Sequence, residues 1–115
     1  MTFRSDLRSK YGARKVTTAT GQTFDSVREY HRFCELNLMQ RAGVISDLKC
    51  QVKFELIPSQ RVGGKVWRPT TYVADFVYTE NGKQVVEDAK GAKTEVYKIK
   101  KKLMYERHQI EIKEV

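Results

Sequence analysis

Between Asp25 and Ala42 the apolar residues Val27, Tyr30, Cys34 and Leu38 recur at helical spacing, and Phe33 and Leu36 widen the stripe. Ser26 stands at the head of this run and Gly43 just past its end, which predicts a first, capped helix. The period then changes. Residues 50–57 (CQVKFELI) and 71–79 (TYVADFVYT) alternate and are rich in β-branched and aromatic side chains, so both are expected as strands. Residues 84–90 (QVVEDAK) form a third, joined to the second through Glu80-Asn81-Gly82-Lys83. Asn-Gly is a strong hairpin signal because both positions tolerate positive φ. Thr94 caps a second predicted helix that runs to about Arg107, with Val96, Ile99 and Leu103 on one stripe, and the tail QIEIKEV is a fourth strand.

The resulting order is αβββαβ. An antiparallel meander of three strands, a helical crossover and a last strand parallel to the third make a mixed four-stranded sheet flanked by helices, an α/β fold. With 115 residues the chain is expected to build one core.

Charge subdivides that picture. Lys and Arg number 22 against 14 Asp and Glu, a net +8. Residues 1–24 carry Arg4, Arg8, Lys10, Arg14 and Lys15 against Asp6, whereas residues 25–92 hold ten basic groups against nine acidic ones. The opening 24 residues also lack apolar periodicity, with Gly12 and Gly21 as breakers, and are expected as a basic arm ahead of a folded domain at 25–115. Such a balance favours a polyanionic partner.

No stretch approaches 18 apolar residues and the first ten contain no apolar core, which argues against secretion and against a membrane span and favours the cytoplasm. Cys34, Cys50, His31 and His108 show no zinc-ligand spacing, and two unpatterned thiols suit a reducing compartment.

The hairpin places chemistry. If Asn81-Gly82 is a two-residue turn, Glu80 pairs with Lys83 and Asp75 lies directly opposite Asp88, with Cβ atoms roughly 5 Å apart. Lys90 points to the same face, whereas Glu87 points to the other, opposite Phe76, so alternation selects Asp88 rather than Glu87 as the partner of Asp75. Two facing aspartates can be a solvated hairpin face. Here Val73 and Val77 flank Asp75 on that face, and carboxylates among aliphatic groups are costly to ionise without a cation. A divalent metal suits two oxygens and a nearby lysine.

These residues carry a family resemblance. Asp75, followed after a hairpin by Asp88-Ala89-Lys90 and preceded by a helix bearing Glu29, resembles the PD-(D/E)XK nuclease signature, and the αβββαβ order is similar to that restriction-endonuclease-like core. The runs KYGARK, TFDSVREYHRF, FELIP, YVADFVY, VVEDAKG and KTEVYKIKKKL more narrowly resemble a group of small phage and prophage proteins in that superfamily.

The resemblance implies Asp75 and Asp88 as ligands of Mg²⁺ or Mn²⁺, the Ala89 carbonyl as a backbone ligand and Lys90 as the catalytic lysine. Ala74 stands where the superfamily often has proline, and Asp88 where glutamate is more frequent. Glu29 has two readings: the capping box Ser26-Val27-Arg28-Glu29 explains it without metal, while related nucleases place a first-helix glutamate at the metal. The implied activity is a metal-dependent DNA endonuclease of phage type, a homodimeric Holliday-junction resolvase acting on four-way or other branched DNA. The alternatives are a sequence-tolerant nuclease of ends, flaps or replication intermediates, and a non-catalytic DNA-binding module.

The basic arm, with Lys98, Lys101 and Lys102, is then expected to contact phosphate. Trp67 and Tyr72 are packing residues or stacking groups, Val62-Gly63-Gly64-Lys65 is a tight turn that could enter a groove, and the two histidines are surface or interface residues rather than bases.

Overall fold

A computed structural model describes residues 15–19, 21–89 and 94–115. Arg4, Arg8, Lys10 and Arg14 of the expected arm, and Lys90, lie outside the described residues. In chain order the elements are β1 (Val16–Thr17), β2 (Thr23–Phe24), α1 (Val27–Arg41), β3 (Ser46–Ile57), β4 (Gln60–Val62), β5 (Lys65–Trp67), β6 (Thr70–Glu80), β7 (Lys83–Asp88), α2 (Glu95–His108) and β8 (Lys113–Glu114). The main sheet has the order β3-β6-β7-β8, antiparallel except for the parallel pair β7-β8.

The expected mixed four-stranded sheet with two helices is thus present. None of the helices among the described residues is long and apolar enough to cross a membrane.

Both helices end as their sequences direct. Ser26 Oγ accepts from the Glu29 amide at 3.1 Å and Thr94 Oγ1 from the Tyr97 amide at 3.1 Å, satisfying donors that have no partner within the helix. At the other end of α1 the amides of Gly43 and Val44 return to the carbonyls of Gln40 and Met39.

The helices cover opposite faces of the sheet. Leu36 of α1 joins Phe76, Tyr78 and Ala89, while Tyr97 and Met104 of α2 join Tyr72, Ala74, Val77 and Val86. Within each strand the alternation changes sense partway along. In β3, Leu48 and Cys50 pack on the α1 side but Val52, Phe54 and Leu56 on the α2 side; in β6, Tyr72 and Ala74 face α2 but Phe76 and Tyr78 face α1. The switch falls at Gln51 and Asp75. Gln51 adopts a left-handed conformation (φ 56°) and lies between the pairs Cys50–Phe76 and Val52–Ala74, opposite Asp75. A local irregularity of this kind re-aims the side chains beside it.

Three expectations are corrected. Val16 and Phe24, in the segment read as an arm, are fully buried on the α1 side, so the folded body reaches back at least to Val16. Two-residue strands are too short to show a period. In α2 the stripe Val96, Ile99 and Leu103 does not lead the packing: Val96 is 61% and Ile99 57% exposed, and Tyr97 and Met104 are buried instead. Leu103 is half-buried and packs against the same cluster. Likewise Leu38 of α1 is exposed and Leu36 takes the core position.

Candidate active site

The β6–β7 hairpin has the register expected from Asn81-Gly82, with Glu80 opposite Lys83, Val77 opposite Val86 and Phe76 opposite Glu87. Asn81 and Gly82 both have positive φ, as a tight turn of this kind requires. The paired register ends at Phe76 and Glu87; just beyond it the Ala89 amide donates to Asp75 Oδ2 at 2.8 Å. Both aspartates are buried. Tyr72 donates its hydroxyl to Asp88 Oδ2 at 2.5 Å.

The apolar strip expected around Asp75 is only half formed. Val77 is buried but Val73 is 40% exposed, because the change of face at Asp75 turns Val73 outward.

Glu87 occupies a different world from its neighbour. It is completely buried on the α1 side and held by Arg32, whose Nε donates to Oε1 at 2.8 Å and Nη2 to Oε2 at 2.6 Å. The Tyr78 hydroxyl donates to the same carboxylate. This two-pronged pairing raises the Arg32 guanidinium above its ordinary value, chiefly through the hydrogen bonds to Glu87 and against the opposing effect of burial. Arg32 was not singled out in the sequence, although its position three residues after Glu29 on α1 places it on the helix face nearest the sheet.

Glu29 bridges the two readings given for it. Its amide bonds to Ser26 and its Oε1 accepts from the Asp25 amide at 3.3 Å, so it completes a cap; its Oε2 accepts from Gln51 Nε2 at 2.8 Å, at the strand position opposite Asp75. Glu29 is itself buried. The thiol of Cys50 registers both acids: burial pushes it up, and the negative charges of Glu29 and Asp75 push in the same direction against a hydrogen bond from Gln22. On the other side, burial first, then the bond and charge of Asp88, hold the Tyr72 hydroxyl above its usual range, with a smaller contribution from Asp75. Tyr97 is shifted the same way by burial, by its bond to Glu114 at 2.7 Å and by the charges of Asp88 and Asp75.

Cys50 thus feels Glu29 and Asp75, and Tyr72 and Tyr97 feel Asp75 and Asp88. Among the described residues no three His, Cys, Asp or Glu side chains form a group ready to hold a metal. Two carboxylates are hard oxygen donors of the type that suits Mg²⁺ or Mn²⁺.

The candidate cationic groups are spread out. Lys15 is exposed beside β1, Lys98 pairs with Glu95 at 3.2 Å, Lys101 with Glu114 at 3.1 Å, and Lys102 is exposed. Lys100 lines an open cavity of about 280 Å³ with Tyr72, Val73, Thr94, Val96 and Tyr97, and the Tyr72 hydroxyl in turn bonds Asp88. Tyr72 is a buried packing residue, whereas Trp67 is exposed. His31 is exposed, and the exposed His108 sits 2.7 Å from the Glu55 carbonyl.

A family model described as "Protein of unknown function (DUF1064)" matches residues 8–115, and the chain belongs to that family. No curated protein and no solved structure matches the chain.

Proposed function

We propose that this DUF1064 protein is a divalent-metal-dependent DNA endonuclease of the PD-(D/E)XK type, acting on branched DNA as a Holliday-junction resolvase. The observation that carries the reading is that Asp75 and Asp88 are both buried on adjacent strands of a mixed sheet, with the Ala89 amide bonded to Asp75 and Glu29 bonded to Gln51 on the next strand. Two buried carboxylates on neighbouring strands are hard oxygen donors of the kind that holds a divalent cation, which is the role the nuclease reading gives them.

In this reading Asp75 and Asp88, with the Ala89 carbonyl, hold Mg²⁺ or Mn²⁺, and Glu29 acts from α1 through Gln51 or directly. The metal supplies polarisation of the scissile phosphate and a lowered pKa for bound water. The chain's own groups do the positioning: the Ala89 amide fixes Asp75, the Tyr72 hydroxyl fixes Asp88, and Lys90 stabilises charge on the attacked phosphate. The arm residues Arg4, Arg8, Lys10, Arg14 and Lys15, with Lys98, Lys101 and Lys102 on α2, supply phosphate affinity rather than chemistry. Resolving a four-way junction takes two symmetrical cuts and each chain has one such site, so the active particle is a two-fold homodimer.

The test is a Mg²⁺ and Mn²⁺ titration with labelled four-way junction, linear duplex and single strand, comparing wild type with Asp75→Asn and Asp88→Asn. Junction cleavage by wild type and a loss of about 10³-fold or more in each variant, with DNA binding retained, is the expected result. Wild-type cleavage by either variant refutes the site. Binding without cleavage at any metal concentration makes the protein a non-catalytic DNA-binding module, and equal cutting of linear duplex by a monomer leaves a nuclease but not a resolvase.

A further inference from the structure

Between the main-sheet strands β3 and β6 the chain makes a second, separate sheet of two strands, β4 and β5. Gln60 pairs with Trp67, Arg61 with Val66 and Val62 with Lys65, and all six side chains are exposed. Gly63 and Gly64 at the tip both have positive φ (57° and 78°), the conformation that a two-residue hairpin turn demands. The chain's only two prolines, Pro58 and Pro69, flank the ribbon and restrict the backbone where it leaves the sheet. The ribbon joins neither apolar cluster.

Its composition is also distinctive. Residues 58–69 hold Arg61, Lys65 and Arg68 and no acidic side chain. Among these charges stand Val66 at 59% and Trp67 at 55% exposure. Trp67 shares its face with Lys65, so an aromatic plane and a cation are presented together. A ribbon selected only for solubility has no use for a solvated indole, and one selected to pair with an apolar protein surface has no use for three unopposed cations. Nucleic acid satisfies both demands, offering phosphates to the cations and base faces to the ring.

We infer that the β4–β5 ribbon is a DNA-reading element in which Arg61, Lys65 and Arg68 engage phosphates and Trp67 stacks on an unpaired or unstacked base. The inference rests on the nuclease reading only in taking DNA as the ligand. Fully paired duplex keeps its base faces inside the stack, so the ring distinguishes a junction centre or a gap from continuous duplex.

Trp67 is the only tryptophan in the chain, so its emission reports on the ribbon alone. The experiment titrates the full protein, in EDTA to prevent cleavage, with a four-way junction, a gapped duplex and a fully paired duplex, following both Trp67 emission and the anisotropy of labelled DNA. Junction and gapped duplex are expected to quench the emission, with fully paired duplex quenching it far less. Trp67→Ala is expected to lose about tenfold in affinity for the gapped DNA and little for the paired duplex. Replacing Arg61, Lys65 and Arg68 together with alanine is expected to lower the salt dependence of binding by about two to three ion equivalents.

Binding seen by anisotropy with unchanged Trp67 emission, or equal quenching by all three DNAs, overturns the inference and leaves the nuclease reading intact. A concentration-dependent shift of Trp67 emission without DNA, matched by a dimer in sedimentation that Trp67→Ala abolishes, assigns the ribbon to a second copy of the chain and overturns it as well. Absence of binding to every DNA also overturns it, while the metal-dependent cleavage assay with Asp75→Asn judges the nuclease reading separately.

Discussion

Glu87 and Asp88 are consecutive acids, both buried, on the same short strand, and they meet opposite surroundings. Glu87 faces α1, where the guanidinium of Arg32 and the hydroxyl of Tyr78 meet its two oxygens. Asp88 faces the other way, toward the α2 side, with Tyr72 fixing one oxygen. The strand's alternation alone divides them. A negative charge matched by an adjacent positive one consolidates the fold, and in the proposed reading the carboxylate of Asp88 serves a metal instead.

That contrast has measurable edges. The largest concerns stability: Arg32→Ala leaves the Glu87 carboxylate buried without its guanidinium and is expected to cost about 3–5 kcal/mol in urea unfolding. Asp88→Asn keeps the shape and the acceptor for Tyr72, and its unfolding midpoint is expected to move far less. Equal losses in the two variants would erase the distinction.

Glu29→Gln sharpens the other side. Glutamine can still accept from the Asp25 amide, so stability is expected to change by less than about 1 kcal/mol, while metal-dependent cleavage falls. Unchanged cleavage restricts Glu29 to its capping role.

The smallest effect is at high pH. Tyr72, Tyr78 and Tyr97 have folded pKa values raised above the ordinary value, first by burial and then by the carboxylates they bond. Their contribution to stability is therefore complete below about pH 10, where the unfolded phenols titrate, and is lost as pH rises toward the folded values. Tyrosinate absorbance for these three is expected to appear together with unfolding, and Tyr78→Phe is expected to reduce the alkaline loss on the Glu87 side alone.

The parts legible in the sequence were those governed by local rules. Asn81-Gly82 determined the register from Glu80–Lys83 to Phe76–Glu87, and the caps at Ser26 and Thr94 marked where the helices begin. What escaped depended on distant partners. Nothing near Glu87 in the chain announces Arg32, 55 residues away, and nothing local to Val73 reveals that β3 and β6 change faces beside it. The inner face of α2 is carried by Tyr97 and Met104, whose burial depends on which strands the helix meets. The hairpin at Gly63-Gly64 was read as a turn, but its extension into an independent ribbon required seeing that its strands leave the main sheet.

Ile57 and Thr70, the last main-sheet pair before the ribbon, already stand opposite each other across β3 and β6. The twelve residues between them can accordingly be exchanged for a short turn without removing a residue from either apolar cluster. The molecule is thus modular at this point. Loop grafting at Ile57 and Thr70 offers a way to swap the outward-facing tip while the sheet, the helices and the carboxylate pair stay as a constant chassis.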